Sequence, residues 1–172
     1  ADVAIGLSSS DTTEGTVSPA SLTFTALNWS SPRTVTVTGV DDDLDDGDVA
    51  YTIATAAATS GDADYSGRDA ADVSVTNSDD DTAGITVAPT SGLTTTEAGD
   101  TASFTIVLDT KPTGDVTIGL TSSDESEGTV ASSSVTFTTS DWSTAQTVTI
   151  TGVDDDEDDD DVVFTIHVTA AT

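Results

Sequence analysis

Aspartate is concentrated in three clusters along this chain, and its spacing there suits the binding of a hard metal ion. Two clusters are long, at 41–48 and 154–161, and the third is the triplet at 79–81. Carboxylates packed this densely repel one another, and Ca²⁺ relieves such repulsion by taking about six to eight oxygen ligands in flexible geometry. Mg²⁺ demands a tighter octahedron, and zinc lacks its usual ligands because the chain has no cysteine and one histidine. The clusters therefore predict calcium binding.

None of these clusters forms a linear calcium-binding loop. An EF-hand loop needs acids at alternate positions before a glycine, and a glutamate six residues after it. With Gly47 as that glycine, Leu44 falls on a ligand position and Ile53 on the position of the glutamate. The glycine-rich nonapeptide of calcium β-rolls is absent from the sequence as well. Any calcium site must therefore be assembled from separate loops.

The charge balance excludes several classes of partner. The chain has 172 residues, with 32 acidic against 3 basic ones and a formal net charge of −29. Binding nucleic acid requires lysine and arginine to neutralise phosphates, and an anionic membrane surface makes the same demand. No apolar run reaches membrane-spanning length, so membrane insertion is not expected. This much negative charge opposes a compact state unless bound divalent metal or high salt offsets it.

The sequence contains an internal repeat of 113 residues. Residues 1–59 align with residues 114–172 without a gap, and 36 of the 59 pairs are identical. A repeat of this length suits an independent sandwich module better than a solenoid turn. We therefore predict two modules, 1–81 lacking its first strands and 82–172 lacking its last strand.

Alternating apolar residues predict strands throughout the chain. Valine, isoleucine, leucine and phenylalanine recur at every second position, as in Phe104-Thr105-Ile106-Val107-Leu108, between turns rich in glycine, aspartate and serine. This pattern argues against disorder, and it gives about seven strands per complete unit. The predicted fold is all-β, with Ig-like antiparallel β-sandwich repeats. Trp29 and Trp142 share one repeat position just before a strand, and we expect both to anchor packing.

Three short segments carry a resemblance to a known family. They are Thr-Glu-Ala-Gly at 96–99, Val-Thr-Val-Thr-Gly-Val-Asp-Asp-Asp at 35–43, and Val-Thr-Asn-Ser-Asp-Asp-Asp at 75–81. Together they resemble Calx-β-type repeats, and closely similar repeats occur in tandem in very large bacterial adhesins. The resemblance covers essentially the whole chain, and it implies a sandwich that binds calcium at one tip.

The resemblance also implies which residues bind the metal. Ligands come from an acid before an early strand, from the loop after a late-middle strand, and from the acidic triplet that ends the module. In this chain they are Glu97, Asp41, Asp42, Asp43, Asp154, Asp155, Asp156, Asp79, Asp80 and Asp81. The first module lacks an equivalent of Glu97 and the second lacks a closing triplet. We therefore expect a neighbouring copy to complete at least one site.

The expected function is that of a non-enzymatic, calcium-stabilised extender in a secreted or cell-surface, adhesin-like protein. Its expected partners are neighbouring repeat modules or copies of itself, with any host or surface ligand bound elsewhere in the full-length protein. Two alternatives stay open: a self-assembling extracellular filament or sheath subunit completed by strand exchange, and an accessory module of a secreted hydrolase. Catalysis is not expected, because the only histidine, His167, lies on a predicted strand and aligns with Ala54 in the repeat.

Overall fold

The chain folds as β-structure in two compact units. A computed structural model describes residues 1–154, 160–169 and 171–172, which form fourteen antiparallel strands and no helix. The all-β prediction is confirmed, and the several antiparallel sheets are consistent with an Ig-like β-sandwich. One unit comprises Ala1–Asp42 with Asp46–Asp80, and the other comprises Asp43–Asp45 with Asp81–Thr172. Within the described residues, no helix is long and apolar enough to cross a membrane.

The first unit contains two sheets, and the chain alternates between them from β1 to β5. Its strands are β1 (Val3–Ser9), β2 (Gly15–Ser18), β3 (Ser21–Phe24), β4 (Thr36–Gly39), β5 (Val49–Thr55), β6 (Thr59–Ser60) and β7 (Val73–Asn77). One sheet has the strand order β3-β1-β5-β7, with β6 also on β1, and the other pairs β2 with β4. The chain therefore crosses from one sheet to the other between β4 and β5, through the acidic segment 41–48.

The second unit repeats this plan and adds two strands ahead of it. Its strands are β8 (Ile85–Ala88), β9 (Thr101–Leu108), β10 (Val116–Ser122), β11 (Gly128–Val130), β12 (Ser134–Phe137), β13 (Gln146–Gly152) and β14 (Ile166–Val168). One sheet has the order β12-β10-β14 and the other the order β11-β13-β9-β8. Strands β10 to β14 correspond to β1 to β5, whereas β8 and β9 have no counterpart among the described residues of the first unit.

The internal repeat is preserved in the strand register. Val3 pairs with Phe24 on β1 and β3, and Val116 pairs with Phe137 on β10 and β12, at the 113-residue offset. The same offset relates the β2–β4 pairing to the β11–β13 pairing. A shift of one residue would turn the apolar faces outward, so this agreement shows that both units bury equivalent sides of their strands.

The cores of the two units differ in extent. In the second unit, strands from both sheets contribute buried side chains: Phe104, Ile106, Leu108, Ile118, Leu120, Phe137, Val148 and Ile150. In the described part of the first unit, the buried hydrophobic residues are Leu7, Tyr51, Ile53 and Ala58. Three of the eight core residues of the second unit lie on β9, which has no counterpart among the described residues of the first unit. These three side chains account for much of the difference between the two cores.

Several local predictions need correction. Trp142 packs against the core as expected, but Trp29 is 72% exposed, so the prediction that it anchors packing is wrong. Apolar residues alternate from Val162 to Val168 and predict one strand there, yet β14 spans only Ile166–Val168, and Val163 is 94% exposed. Among the described residues β14 pairs with β10 alone, which explains its short length. The short strands β2, β6 and β11 are too poor in apolar residues for alternation to reveal them.

Close packing of strand ends generates a stability prediction. A Cβ atom at Gly152 would overlap the backbone carbonyl oxygen of Thr96, which cannot move aside as a flexible side chain would. We therefore expect Gly152→Ala to lower the free energy of unfolding by about 1–3 kcal/mol, as overpacking generally does. Gly114→Ala is the matched control in the same unit, because no atom lies within 4 Å of the added methyl group. Equal thermal unfolding of the two variants would contradict this account.

Candidate metal centre

Three acidic side chains converge at one end of the first unit. Carboxylate oxygens of Glu14, Asp42 and Asp46 all lie within 4.8 Å of one another, and no other such group occurs among the described residues. Glu14 directly precedes β2, Asp42 follows β4, and Asp46 precedes β5. The group therefore joins the segments that link the two sheets, and its three carboxylates can hold a metal ion.

Glu14 is the buried member of this cluster. Its side chain is 8% exposed, whereas those of Asp42 and Asp46 are exposed. Asn77, at the end of β7, donates a hydrogen bond from Nδ2 to Glu14 Oε2 at 3.3 Å and another to the Val40 carbonyl oxygen at 2.7 Å. The Val40 N–H donates in turn to the Glu14 backbone oxygen at 2.9 Å. A buried carboxylate is costly unless hydrogen bonds or a counter-charge compensate it, and Asn77 supplies a hydrogen bond to this one.

A tight turn brings Glu14 to this position. The Asp11 carboxylate accepts hydrogen bonds from the Thr13 hydroxyl and the Thr13 N–H, and the Gly15 N–H donates to the Asp11 backbone oxygen at 3.1 Å. The two bonds from Thr13, that from the hydroxyl first, lower the pKa of the Asp11 carboxyl. The second unit builds the same turn with Asp124 and Ser126 ahead of Glu127, and there too the pKa of the aspartate is lowered.

Aspartates outside the cluster hold the acidic loop in place. The Gly47 N–H donates to Asp79 Oδ2 at 2.7 Å, and the Asp79 N–H donates to Asp48 Oδ1 at 3.1 Å. Gly47 has a φ of 75°, a conformation that glycine adopts at little cost. The segment that follows β7 therefore supports the loop that carries Asp42 and Asp46.

The residues predicted as ligands occupy several different places. Asp42 belongs to the cluster, Asp41 is its exposed neighbour, and Asp79 supports the loop. In the second unit, Asp43 accepts a hydrogen bond on its backbone oxygen from the Lys111 N–H at 2.7 Å. Asp80, Asp81, Glu97 and Asp154 lie outside the three-carboxylate cluster. Asp155 and Asp156 fall outside the described residues.

Two cluster residues, Glu14 and Asp46, were not among the predicted ligands. A signal for Glu14 was present, because Glu-Gly-Thr-Val at 14–17 recurs unchanged at 127–130. Asp46 also recurs, as Asp159, within a run of acids where the sequence alone does not distinguish a ligand from its neighbours. Asp155 and Asp159 align with Asp42 and Asp46, but neither is among the described residues, so the repeat equivalent of the cluster is not described.

Neither a protein-family model nor a curated protein sequence matches this chain. The metal-holding capacity of the cluster therefore rests on the arrangement of its own carboxylates.

The turn ahead of Glu14 yields a prediction for acid titration. We expect Thr13→Val to raise the pKa of the Asp11 carboxyl toward its ordinary value, because the hydroxyl donor is lost. Asp124, in the equivalent turn, should keep its lowered pKa and serves as the internal control in an NMR titration of carboxyl carbons. Since the folded-state pKa is the lower one, the stabilisation by this turn is present above the unfolded-state pKa and is lost as pH falls through the folded-state pKa. An unchanged pKa at Asp11 would refute the assignment.

Proposed function

We propose that this chain is a calcium-stabilised structural repeat of a secreted or cell-surface, adhesin-like protein. The observation that carries the proposal is the convergence of Glu14, Asp42 and Asp46 within 4.8 Å. Three carboxylates from two separate segments, Glu14 from one and Asp42 and Asp46 from the other, form the kind of site that the absence of a linear calcium loop requires. The role is mechanical rather than catalytic: repeated sandwiches act as spacers, and bound ions stiffen them.

The spread of the carboxylate oxygens suits calcium. Ca²⁺ binds oxygen at about 2.3–2.6 Å, so two ligands on opposite sides of one ion lie about 5 Å apart. Oxygens that all lie within 4.8 Å of one another are compatible with ligands of a single Ca²⁺ ion. Mg²⁺ demands near-ideal octahedral geometry and usually keeps several waters, whereas Ca²⁺ accepts irregular sets of oxygen ligands. Water molecules and backbone carbonyl oxygens would complete a calcium coordination shell.

An ion in this cluster would stabilise the unit by joining its two sheets. Glu14 extends from the sheet formed by β2 and β4, whereas Asp46 leads into β5 of the other sheet. In the unfolded chain these residues are far apart in sequence, so the ion binds the folded state almost exclusively. Binding therefore adds to the free energy of unfolding by mass action, by about 2.7 kcal/mol when free calcium is a hundredfold above the dissociation constant.

An extracellular setting agrees with this chemistry. Outside the cell, calcium sites with dissociation constants as weak as about 10⁻⁴–10⁻³ M still serve structural modules. An exposed cluster with one buried member is suited to that range, since Asp42 and Asp46 stay hydrated until the ion binds. The resemblance to Calx-β-type repeats and the net charge of −29 support the same proposal.

Calcium titration of the chain and of Glu14→Gln tests the proposal. We expect calcium to raise the melting temperature by about 10 °C at saturation, and EDTA to reverse the rise. Glutamine keeps an oxygen that can accept from Asn77 but removes the buried charge. Glu14→Gln should therefore lower the number of ions bound per chain by one in isothermal titration, while the fold in EDTA stays intact.

Asp115→Asn is the comparison variant, because Asp115 is exposed and lies outside both the cluster and the set of predicted ligands. It should bind as many ions as the unaltered chain. Loss of binding in Asp115→Asn together with full binding in Glu14→Gln would place the ion elsewhere. A melting temperature that follows sodium chloride and ignores calcium would show that ionic screening replaces specific binding.

Asp79 supports the loop that carries Asp42 and Asp46, so its removal should change calcium binding indirectly. We expect Asp79→Ala to weaken calcium binding about tenfold while the number of ions bound stays unchanged. The Gly47 N–H loses its acceptor, but the three carboxylates remain. Asp80→Ala removes an equal charge from the neighbouring exposed residue and should change the affinity less. Equally weakened calcium binding in the two variants would mean that Asp79 acts only through its negative charge.

A further inference from the structure

Asn77 is a neutral side chain in contact with the candidate metal centre. Its Nδ2 group donates to Glu14 Oε2 at 3.3 Å and to the Val40 carbonyl oxygen at 2.7 Å, which uses both of its hydrogen atoms. The side chain also lies against Gly39, where an added Cβ atom would come within 2.6 Å of Asn77 Oδ1. Asn77 therefore fits its surroundings as an amide, because an ionised acid has no hydrogen to give to these two oxygens.

The residue that follows Asn77 makes this amide chemically labile. Ser78 is small and exposed, so its backbone nitrogen can approach the Asn77 side chain with little hindrance once the local structure opens. The chain has one other asparagine, Asn28, and there the bulky Trp29 follows. β7 ends at Asn77, which pairs with Val49 of β5, and the next residue leaves the sheet. A labile dipeptide thus lies at the end of a strand, beside the metal centre.

We propose that Asn77 is a site of spontaneous deamidation, and that its conversion makes the stability of the first unit more dependent on a bound cation. The Ser78 backbone nitrogen attacks Asn77 Cγ, a bond forms between these two atoms, and the Cγ–Nδ2 bond breaks. Nδ2 leaves as ammonia and takes with it the proton of the Ser78 N–H. Water then opens the resulting five-membered imide ring and leaves aspartate or isoaspartate at position 77.

The product would reverse the electrostatics beside Glu14. An aspartate at position 77 has no hydrogen to donate, so the Glu14 carboxylate and the Val40 carbonyl oxygen would each face an acceptor. A fourth carboxylate would then stand beside those of Glu14, Asp42 and Asp46, at a range where like charges repel strongly. A bound cation would offset this repulsion. The first unit would therefore lose stability when the ion is absent and regain it when the ion binds.

The folded site restrains the reaction. The Asn77 amide is held by Glu14 and Val40, and its backbone is held in β7, so attack by the Ser78 nitrogen needs local opening of the site. At this step the inference rests on the proposed function, because an ion in the cluster would lower the population of the open state by mass action. Deamidation should therefore accumulate in chains that have lost calcium, and it would mark them irreversibly.

Incubation of the whole chain in EDTA or in saturating calcium tests the reaction. After denaturation, trypsin cleavage at Arg33 and Arg68 separates Asn28 from Asn77 for mass spectrometry. We expect the mass increase that accompanies replacement of NH₂ by OH in the Asn77 fragment alone. It should appear about tenfold faster in EDTA than in calcium.

Ser78→Val is the control for the reaction itself. A β-branched side chain crowds the attacking nitrogen but keeps the backbone N–H, so deamidation in EDTA should slow several-fold. Calcium binding by this variant should match that of the unaltered chain, because the side chain of Ser78 is exposed and lies outside the cluster. A mass increase that arises from Gln146, in the same fragment, would persist at its original rate in this variant.

Two aspartate variants test the consequence at equal added charge. Asn77→Asp should lower the melting temperature in EDTA by about 5–10 °C, and saturating calcium should restore about half of the loss or more. Asn28 Oδ1 accepts from the Thr25 N–H at 2.7 Å. Asp141, at the equivalent position, accepts from the Thr138 N–H at 2.6 Å. Asn28→Asp therefore keeps its hydrogen bond and should melt within about 3 °C of the unaltered chain.

Three results would overturn the inference. The first is deamidation in EDTA that is no faster at Asn77 than at Asn28. The second is an Asn77→Asp variant that melts together with Asn28→Asp in EDTA. The third is calcium that binds to the chain but leaves the rate at Asn77 unchanged. Failure of the proposed function has a different signature: the unaltered chain would bind no calcium in isothermal titration, and the two comparisons in EDTA would still decide this inference.

Discussion

How much of each unit is buried depends on whether one strand has a partner on one side or on both. That strand is β4 in the first unit, after Trp29, and β13 in the second unit, after Trp142. Where β9 lies on β13, a sheet of four strands faces a sheet of three, and eight apolar side chains fill the space between them. Where β4 pairs with β2 alone among the described residues, an aligned segment that is identical at 36 of 59 positions leaves Phe24 half-buried and Trp29 exposed. Burial is thus a property of the assembled layers, because a sheet has a hydrophobic face only when something covers it.

The second constraint is the negative charge, which the fold confines to the ends of its strands. The strands themselves are built from threonine, valine and isoleucine, whereas the acids collect in turns and crossovers such as 41–48. Glu14 is the exception that gives the site its chemistry, since it is drawn in at the start of β2 and held by Asn77. A carboxylate in that position needs either hydrogen bonds or a cation. The structure supplies the first, and the nearby aspartates would attract the second.

The fold was more predictable from sequence than the site was. Period-2 alternation reveals a strand such as Phe104 to Leu108 because every second side chain enters the core. It does not reveal β2 or β11, whose residues are held mainly by backbone pairing at the edge of a sheet. Nor could it show that Trp29 and Trp142 have different surroundings, because that difference depends on β9, which is distant in sequence.

The limits on predicting the cluster have the same physical origin. Density of aspartate indicates where charge accumulates, but a metal site requires oxygens brought together from different segments. Asp42 was recognisable within a dense run, whereas Glu14 is an isolated acid 28 positions earlier in the sequence. What links them is the β2–β4 pairing of Gly15 with Gly39, which places the residue before one strand beside the residues that follow the other. Only the register of that pairing makes Glu14 a partner for Asp42.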